Sequence, residues 1–542
     1  MVERDRSGAW LEEALTRRQV IRGGLAGGLV LGSSGFLAAC GGGDDEGGNG
    51  TQETSQEDAG ALRAGGTLRV GATGGGAEDT VDAHKPTSDP DIMRVWQLYE
   101  PLAVRPADFG DLEMVLAESL EADGDRADRW TVRLKEGIEF HDGKPVTADD
   151  VIFSLRRILD KKDPKVGAAS IGYVDAGGLK KLDDRTVRIP LQFPNATFPE
   201  DIGQYFNGIV PVDYDPAKAI GTGAFKFKSF SPGEQSTFVK HPNYWRDGEP
   251  YADELVIIDF TADNARVNAL LGGQVEAINN VPFSQLSGIQ GNPKLRAIIS
   301  ETGSWQPFTM RVDAAPFDDV RVRQAMRLIV DRQQMVEQVL SGQGRIANDL
   351  YAPYDPCYAK ELPQREQDLE QAKSLLSEAG QSDLRVELVT APVFRGIVEA
   401  AQVFAEQAKG AGVQVKVRKT DSGTFYGDNY LKWPFAQDFW STRLYLTQVA
   451  QGSLPDSPFN ETHWANEDFQ KLIRQARGEL DEGKRCELLG EAQKLEYEEG
   501  GYIIPYFSNA IDAHSASIGG IQEAKSGFTL GNYQLRSVGF KG

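Results

Sequence analysis

Residues 130–160 read WTVRLKEGIEFHDGKPVTADDVIFSLRRILD, the most regular stretch of the folded part of the chain. At its start, apolar residues alternate with polar ones, which is the period of a strand with one buried face. These apolar residues are Trp130, Val132 and Leu134. Asp142-Gly143 then predicts a turn, and Thr147 predicts a helix N-cap with Asp150 closing a capping box. The stretch therefore predicts a strand, a turn and an amphipathic helix, in that order.

Residues 116–125, LAESLEADGD, precede this stretch, and the two segments together look like a family signature. They resemble the family 5 extracellular solute-binding proteins, the receptors of ABC importers for peptides, oligopeptides and nickel. Leu120 is a departure, because that family usually has Trp at this position. Residues 219–257, AIGTGAFKFKSFSPGEQSTFVKHPNYWRDGEPYADELVI, are similar to the second hallmark of the family. The resemblance extends, in order, over about residues 66–507.

Other segments predict elements by their own patterns. Residues 225–240 predict a β-hairpin, because phenylalanines alternate with lysines before a Pro-Gly turn. Residues 385–390, 397–408 and 413–417 predict a strand, a helix and a strand, and hence a parallel pair with a right-handed crossover. Residues 502–507 predict another strand near the end of the chain.

The resemblance implies an α/β architecture, a two-lobed periplasmic-binding-protein-like fold (type II) with an extra domain inserted in the first lobe. Lobe I is then expected at 66–97, 206–300 and 504–542, the extra domain at 98–205, and lobe II at 301–503. In such receptors the ligand lies in the cleft between the lobes, which are hinged by the strands that pass between them. Closure of the cleft removes the ligand from water and presents a surface to the permease.

The segment from Thr16 to Cys40 predicts where the protein works. Arg17 and Arg18 precede an apolar, glycine-rich run that ends in Leu-Ala-Ala-Cys, the order of an export signal. It resembles a twin-arginine signal joined to a lipobox, which implies a signal peptide at 1–39, a diacylglyceryl thioether on Cys40 and a bacterial lipoprotein. The other interpretation is an uncleaved membrane helix, although the run is marginal for about 30 Å of hydrocarbon. We expect a protein exported by the twin-arginine route and lipid-anchored on the extracytoplasmic face of the cell membrane.

The composition is that of a soluble globular protein, with 40% apolar and 25% charged residues and a net charge of −22 over 542 residues. Residues 40–65, rich in glycine and acids, predict a flexible tether. Because so negative a surface repels nucleic acid, we expect no nucleic-acid partner. We also expect a monomer. Once Cys40 is lipidated, Cys357 and Cys486 remain, and they form either one disulfide or two separate buried thiols.

The richest candidate binding region is 425–464, which carries ten aromatic residues at irregular spacing. Aromatic side chains give a cleft contact area at low entropy cost, although most of these rings are expected in the core. In the peptide receptors that the chain resembles, a Trp here is followed by an Asp that grips the free amino group of the ligand. In this chain Trp440 is followed by Arg443 and Tyr445, so that acid is missing. Arg443 either binds a carboxylate or phosphate of the ligand, or pairs with an acid on the lobe surface.

Four further residues are candidate ligand contacts. They are Trp305, where the chain enters lobe II, and Thr73, Glu78 and Asp82, which belong to the loop after the first strand. The glycines of this loop lack the G-x-G-x-x-G spacing of a phosphate site, so the loop either lets the backbone approach a ligand or is only a turn.

The motifs favour a receptor over an enzyme. The mature chain has no G-x-S-x-G, S-x-x-K or H-E-x-x-H motif, and its five histidines are scattered. The alternatives are a secreted hydrolase, for which so acidic a chain offers many carboxylate pairs, and a metal-chelate or haem receptor on the same fold. We expect no enzymatic activity, no cofactor and no protein-bound metal. The expected function is capture of a small polar solute, an oligopeptide or peptide-like compound being favoured, for an ABC permease and its ATPase subunits.

Overall fold

The computed structural model of the protein describes residues 61–542. The predicted signal peptide 1–39 with Arg17 and Arg18, and the predicted lipidation site Cys40, lie outside the described residues. Within the described part, no helix combines the length and the apolar character that crossing a membrane requires.

The end of the predicted tether belongs to a small sheet. Leu62–Arg63 pairs antiparallel with Gly539–Lys541, which pairs in turn with Ile518–Gly519. This three-stranded sheet joins residues from both ends of the described chain. Its middle strand, Gly539–Lys541, pairs its backbone N–H and C=O groups with a strand on each side.

The largest sheet forms the centre of the first lobe and mixes parallel with antiparallel pairs. From one edge to the other its strands are Leu295–Trp305, Tyr506–Ser515, Ala277–Ile278, Thr67–Thr73, Glu254–Phe260, Gln235–Lys240 and Phe225–Ser231. Gly344–Ile346 pairs with the second of these strands outside that path. The predicted hairpin over 225–240 is confirmed, with its two strands antiparallel. Buried apolar residues pack on the two faces of the sheet as separate clusters, one with Val70 and Ile257 and the other with Ile278 and Ile511.

A second sheet forms the centre of the second lobe. Its strand order is Gln414–Lys419, Arg385–Thr390, Phe435–Gln437, Phe308–Met310 and Tyr502–Ile503. The predicted strand, helix, strand unit is confirmed, because Arg385–Thr390 is parallel to Gln414–Lys419 and the helix Ile397–Lys409 lies between them in the chain.

The chain passes between the two large sheets at two neighbouring places. It leaves the first sheet at Trp305 and enters the second at Phe308, and it returns from Ile503 to Tyr506. Each crossing consists of two residues, and the second is a proline. The two crossings are Gln306-Pro307 and Ile504-Pro505. The strand predicted over 502–507 is therefore two strands, because proline has no N–H for a ladder and the residues on either side pair in different sheets.

A third, four-stranded sheet contains the stretch quoted first. Its order is Ala117–Ala122, Arg129–Leu134, Thr186–Pro190 and Lys180–Asp183, and the hairpin Ala103–Val104 with Glu113–Met114 lies before it in the chain. The strand buries Trp130, Val132 and Leu134 as predicted. The Asp150 carboxylate accepts the Thr147 backbone N–H at 2.8 Å, which confirms the start of the helix Ala148–Ile158.

The remaining helices cover the sheets and connect their strands. The α-helices are Asp89–Leu98, Ala168–Ile171, Phe198–Ile202, Asp263–Leu271, Leu286–Gln290, Val320–Leu328, Arg332–Leu340, Leu369–Glu378, Ser422–Phe425, Tyr445–Gly452, Glu467–Gly478, Glu482–Glu499 and Thr529–Tyr533. Among residues 61–542, the 3₁₀ turns are Tyr205–Asn207, Phe283–Gln285 and Leu535–Ser537.

The two alternatives for the cysteines are resolved in favour of a disulfide. Cys357 is bonded to Cys486 across 129 residues of sequence, and Cys486 lies on the helix Glu482–Glu499. The bond ties a loop of the second lobe to the helix that packs on it.

The architecture is the predicted α/β fold of two lobes with an extra domain. The boundaries given from the sequence stay a prediction, and the one at 300 falls inside the strand Leu295–Trp305.

Candidate ligand-binding cleft

The two lobes touch through a loop that follows the strand Arg385–Thr390. The Arg395 guanidinium donates to the Val281 carbonyl oxygen at 2.9 Å and to the Asn280 side-chain oxygen at 3.2 Å. The Gln306 amide, at one of the two crossings between sheets, donates to the Arg395 carbonyl oxygen at 3.0 Å. These contacts bring the faces of the two lobes together next to the hinge.

The first lobe contributes a carboxylate to this place. Asp89 is the first residue of the helix Asp89–Leu98, and its Oδ2 accepts hydrogen bonds from Asn280 Nδ2 at 2.7 Å and from Asn279 Nδ2 at 3.3 Å. Burial raises the pKa of the Asp89 carboxyl, although hydrogen bonds from Tyr533 and Asn280 and the charge of Arg395 act in the opposite direction.

The second lobe contributes a guanidinium. Arg443 lies 5.2 Å from the centre of the Trp440 ring and donates to Gln448 Oε1 at 3.4 Å, and its side chain is partly exposed. The neighbouring Thr442 hydroxyl donates to the Lys525 carbonyl oxygen at 2.7 Å, which is a second contact between the lobes.

The charges of both residues affect Tyr205. Burial raises the pKa of the Tyr205 hydroxyl, the Arg443 guanidinium lowers it, and the Asp89 carboxyl raises it. The candidate cleft offers an acidic group on the first lobe and a guanidinium on the second.

Aromatic rings complete the walls. Tyr205 packs edge-on against Phe528 with ring centres 5.3 Å apart on the first lobe, and Phe394 stacks on Phe439 at 4.9 Å on the second. Phe394 is 37% exposed, so part of this apolar surface is accessible.

Three of the predicted contacts form a column of stacked rings inside the second lobe. Trp305 stacks between Trp440, at 6.0 Å, and Tyr351, at 5.2 Å, and Tyr351 stacks in turn on Tyr445 at 5.2 Å. All four side chains are at most 2% exposed. Arg443 packs on the Trp440 end of this column, so the structure brings Trp305 and Trp440 beneath the cleft wall.

The predicted contacts of the first lobe lie apart from one another. The Thr73 backbone N–H and hydroxyl both donate to Asn279 Oδ1, at 2.8 and 3.1 Å, which places Thr73 beside Asp89. Glu78 is exposed. Asp82 is buried beside Arg157 and accepts two hydrogen bonds from it, at 3.0 and 2.7 Å.

Asp82 is held as an ion. Burial by itself raises the pKa of its carboxyl, but the hydrogen bonds from Arg157 and from the His84 backbone N–H outweigh this effect, and the pKa lies below its usual value.

Five residues of this cleft were not predicted from the sequence. They are Asp89, Tyr205, Phe394, Arg395 and Phe528. Asp89 had a local signal, since Ser88 before Asp89-Pro90 is typical of a helix N-terminus. Arg395 had a positional one, since loops after parallel strands commonly border ligands in α/β proteins. Tyr205 and Phe528 had none.

Comparisons with known proteins agree with this architecture. Residues 111–470 match the model of the bacterial extracellular solute-binding proteins, family 5. Heme-binding protein A of Haemophilus influenzae is 27% identical over 446 residues, 75% of this chain and 81% of that protein. Di/tripeptide-binding protein 2 of Pseudomonas aeruginosa is 26% identical over 460 residues, 78% of this chain and 86% of that protein.

A solved structure has the same fold. The periplasmic binding protein DppA of Helicobacter pylori, in complex with the peptide STSA, superposes with a TM-score of 0.73 and 20% identity over 89% of this chain and 99% of that one. The fold, the two lobes with a cleft between them, and a family match over most of the described residues lead to one conclusion. The chain belongs to the bacterial extracellular solute-binding proteins of family 5.

Proposed function

We propose that this chain is a lipid-anchored receptor that captures an oligopeptide or peptide-like solute by closing its cleft and delivers it to an ABC permease. The observation that carries the proposal is an acid on the first lobe, Asp89, and a guanidinium on the second, Arg443. The two lobes meet close to them in the chain, through Arg395 and Thr442. A peptide-like molecule carries both an ammonium and a carboxylate group, and so matches both sides of the cleft.

The arrangement suits a closure mechanism without covalent chemistry. A ligand that touches both lobes stabilises the closed state by as much as its affinity for that state exceeds its affinity for the open one. The contacts of Arg395 with Asn280 and Val281 join the two lobes and stabilise the arrangement in which the lobes are together. The two prolines at the crossings limit the backbone freedom of the hinge.

We infer that the ligand binds with its anionic group toward the second lobe. Guanidinium and oxyanion groups match in geometry, and Arg443 stands where the peptide receptors that the sequence resembles have an acid for the ligand's amino group. The amino group would then face Asp89, on the opposite lobe. The stacked pair of Phe394 and Phe439 offers apolar area for side chains between these ends.

A haem or metal-chelate ligand is the second candidate, because one relative is named for haem binding. Among residues 61–542, no group of three or more His, Cys, Asp and Glu could hold a metal ion. A metal would therefore enter inside its own chelate, and the paired charges of the cleft favour the peptide-like ligand over it.

The test of the ligand class is mass spectrometry of small molecules released from gently purified protein. The proposal expects a peptide or peptide-like compound that binds the refilled protein unchanged, without turnover. The substitution Arg443→Asp gives the cleft two acids. The variant should therefore prefer cationic groups of a ligand where the wild type prefers anionic ones. A released haem, or conversion of the bound compound, would overturn the proposal.

The lipid anchor is tested separately. Replacing Cys40 by Ala removes the sulfur that the thioether needs, so the variant should leave the membrane fraction and lose metabolic labelling with a fatty acid. A labelled Cys40→Ala protein would contradict the anchor and leave the ligand proposal intact.

A further inference from the structure

A second cavity lies behind the cleft, at the junction of the first lobe and the extra domain. It has a volume of about 260 Å³ and is lined by the end of the helix Asp89–Leu98, by residues 244–249 and by the segment 520–537. This volume is just below the range of about 300 Å³ and more for sites of drug-sized ligands, so it fits a smaller molecule.

Three buried polar atoms in its wall have neither a hydrogen-bond partner nor an ion-pair partner among residues 61–542. They are the indole N–H of Trp96, the Nε–H of Arg246 and the side-chain oxygen of Gln534. A buried polar atom without a partner costs about 1 to 3 kcal/mol, so such atoms are normally satisfied by a bound group or by water. Two of the atoms are donors and one is an acceptor, which suits a molecule with both kinds of group.

The charges of the wall are arranged in pairs with one acid left over. Arg246 donates to Glu113 at 2.5 Å, and Arg536 pairs with Glu249 at 2.7 Å. The fifth charged residue is Glu100, which accepts hydrogen bonds from the Tyr244 hydroxyl at 2.7 Å and the Trp245 indole N–H at 2.9 Å.

Burial raises the pKa of the Glu100 carboxyl, against the hydrogen bonds from Trp245 and Tyr244. The acceptor of the wall without a partner is therefore Gln534 Oε1, which favours a ligand group that donates, such as an ammonium.

The cavity is separate from the cleft between the lobes. The segment Thr529–Tyr533 lies between them, because Leu530 and Gly531 line the cavity while the Tyr533 side chain bonds Asp89 on the cleft side. The Gln97 amide donates to the Tyr533 carbonyl oxygen at 2.8 Å and closes the wall further. A molecule in the cavity would thus not touch Arg443 or Arg395.

We propose that this cavity is a second binding site, for a free α-amino acid. The carboxylate would accept from Trp96 Nε1 and Arg246 Nε, and the ammonium group would donate to Gln534 Oε1. The site does not depend on the function proposed for the cleft.

The experiment is calorimetric titration of the full-length protein with each of the twenty standard L-amino acids. At least one should bind, and Trp96→Phe, which removes the N–H and keeps an aromatic ring, should weaken that binding about tenfold or more, the usual effect of one hydrogen bond to a charged group. Gln534→Leu should weaken the same binding. Arg443→Ala should leave it unchanged.

Three results would overturn the proposal. The first is that none of the twenty amino acids binds at millimolar concentration, which would mean that water alone satisfies the cavity. The second is that neither cavity variant changes the affinity. The third is that Arg443→Ala abolishes the binding, which would place the amino acid in the cleft. Should Trp96→Phe unfold, Gln534→Leu decides by itself.

Discussion

Two groups of aromatic rings in this protein, which adjoin at the neighbouring residues Phe439 and Trp440, have different environments. The column of Trp440, Trp305, Tyr351 and Tyr445 is buried in the second lobe. Its polar atoms are satisfied by buried acids, since Tyr351 and Tyr445 both donate to Glu496 at 2.6 Å. The cleft group comprises Tyr205, Phe528, Phe394 and Phe439, none of which is fully buried. Rings of the column pack within one lobe, whereas rings of the cleft group are divided between two.

This difference separates folding from binding. A residue of the column contributes to stability whether or not ligand is present, because its neighbours move with it. A residue of the cleft group contributes to the difference between the open and closed states. Substitutions in the column should therefore change the free energy of unfolding, and those in the cleft should change ligand affinity.

The largest effect is expected in the column, from Trp305→Ala. Removing a ring stacked on two others and packed edge-on against Tyr502 at 5.4 Å leaves a cavity, and such substitutions cost about 3 to 5 kcal/mol. Denaturant unfolding measures this loss. Phe528→Ala is the matched control in the cleft and should lose much less stability, because the ring is partly exposed. Equal losses in the two variants would contradict the distinction.

The second effect is the pH dependence of the same column. Burial raises the pKa of the Glu496 carboxyl from 4.5 to about 7, against the hydrogen bonds from Tyr351 and Tyr445. As the pH rises from 4.5 to 7, the unfolded chain loses a proton that the folded protein retains, so the folded state loses stability, by about 3 kcal/mol at most. The variant Glu496→Gln has no group at this position that can ionise. As the pH rises from 4.5 to 7, the wild type should therefore lose unfolding free energy relative to the variant.

The control for this measurement is Glu491→Gln, an exposed position on the same helix Glu482–Glu499. Its unfolding free energy should follow that of the wild type at every pH. If Glu496→Gln also follows the wild type between pH 4.5 and 7, Glu496 does not hold its proton in the folded protein.

The third effect belongs to the cleft. Arg443→Ala should weaken an anionic ligand by about 1.5 to 3 kcal/mol, since it removes a charge-assisted hydrogen bond, while unfolding stays near that of the wild type. Arg385→Ala removes an exposed arginine of the same lobe and should leave the dissociation constant unchanged. The measurement is calorimetric titration with the compound recovered from the purified protein. An unchanged dissociation constant in Arg443→Ala would remove this residue from the site.

The sequence predicted the elements of the fold and only part of the cleft. The strand Arg129–Leu134 with its helix, and the parallel pair around Ile397–Lys409, depend on patterns within about thirty residues, and both are confirmed. The cleft collects Asp89, Tyr205 and Arg395 from three distant segments, and no local pattern says which loops will face each other. Arg443 was a candidate because it replaces an acid of the family that the sequence resembles, and its contact with a ligand stays a prediction.

The column shows a second reason for the same limit. Trp305 and Trp440 were predicted as ligand contacts, and the structure places them inside the lobe at 1% and 2% exposure. The sequence around a tryptophan at a lobe entrance does not show whether its ring faces the cleft or the interior. The orientation is set by the bridge between the Trp305 and Trp440 backbones, which is a pairing of residues 135 positions apart that periodicity does not record.

The smallest effect tests the boundary between the two regions. Arg395→Ala removes two hydrogen bonds between the lobes and should reduce ligand affinity by about 1 kcal/mol, the usual net worth of such bonds, with the stability of each lobe unchanged. Because these bonds join the two lobes, small-angle X-ray scattering should give a larger radius of gyration for the unliganded variant than for the wild type. Equal radii with an unchanged affinity would mean that Arg395 does not hold the lobes together, and that ligand contacts such as Arg443 supply the whole of the closing free energy.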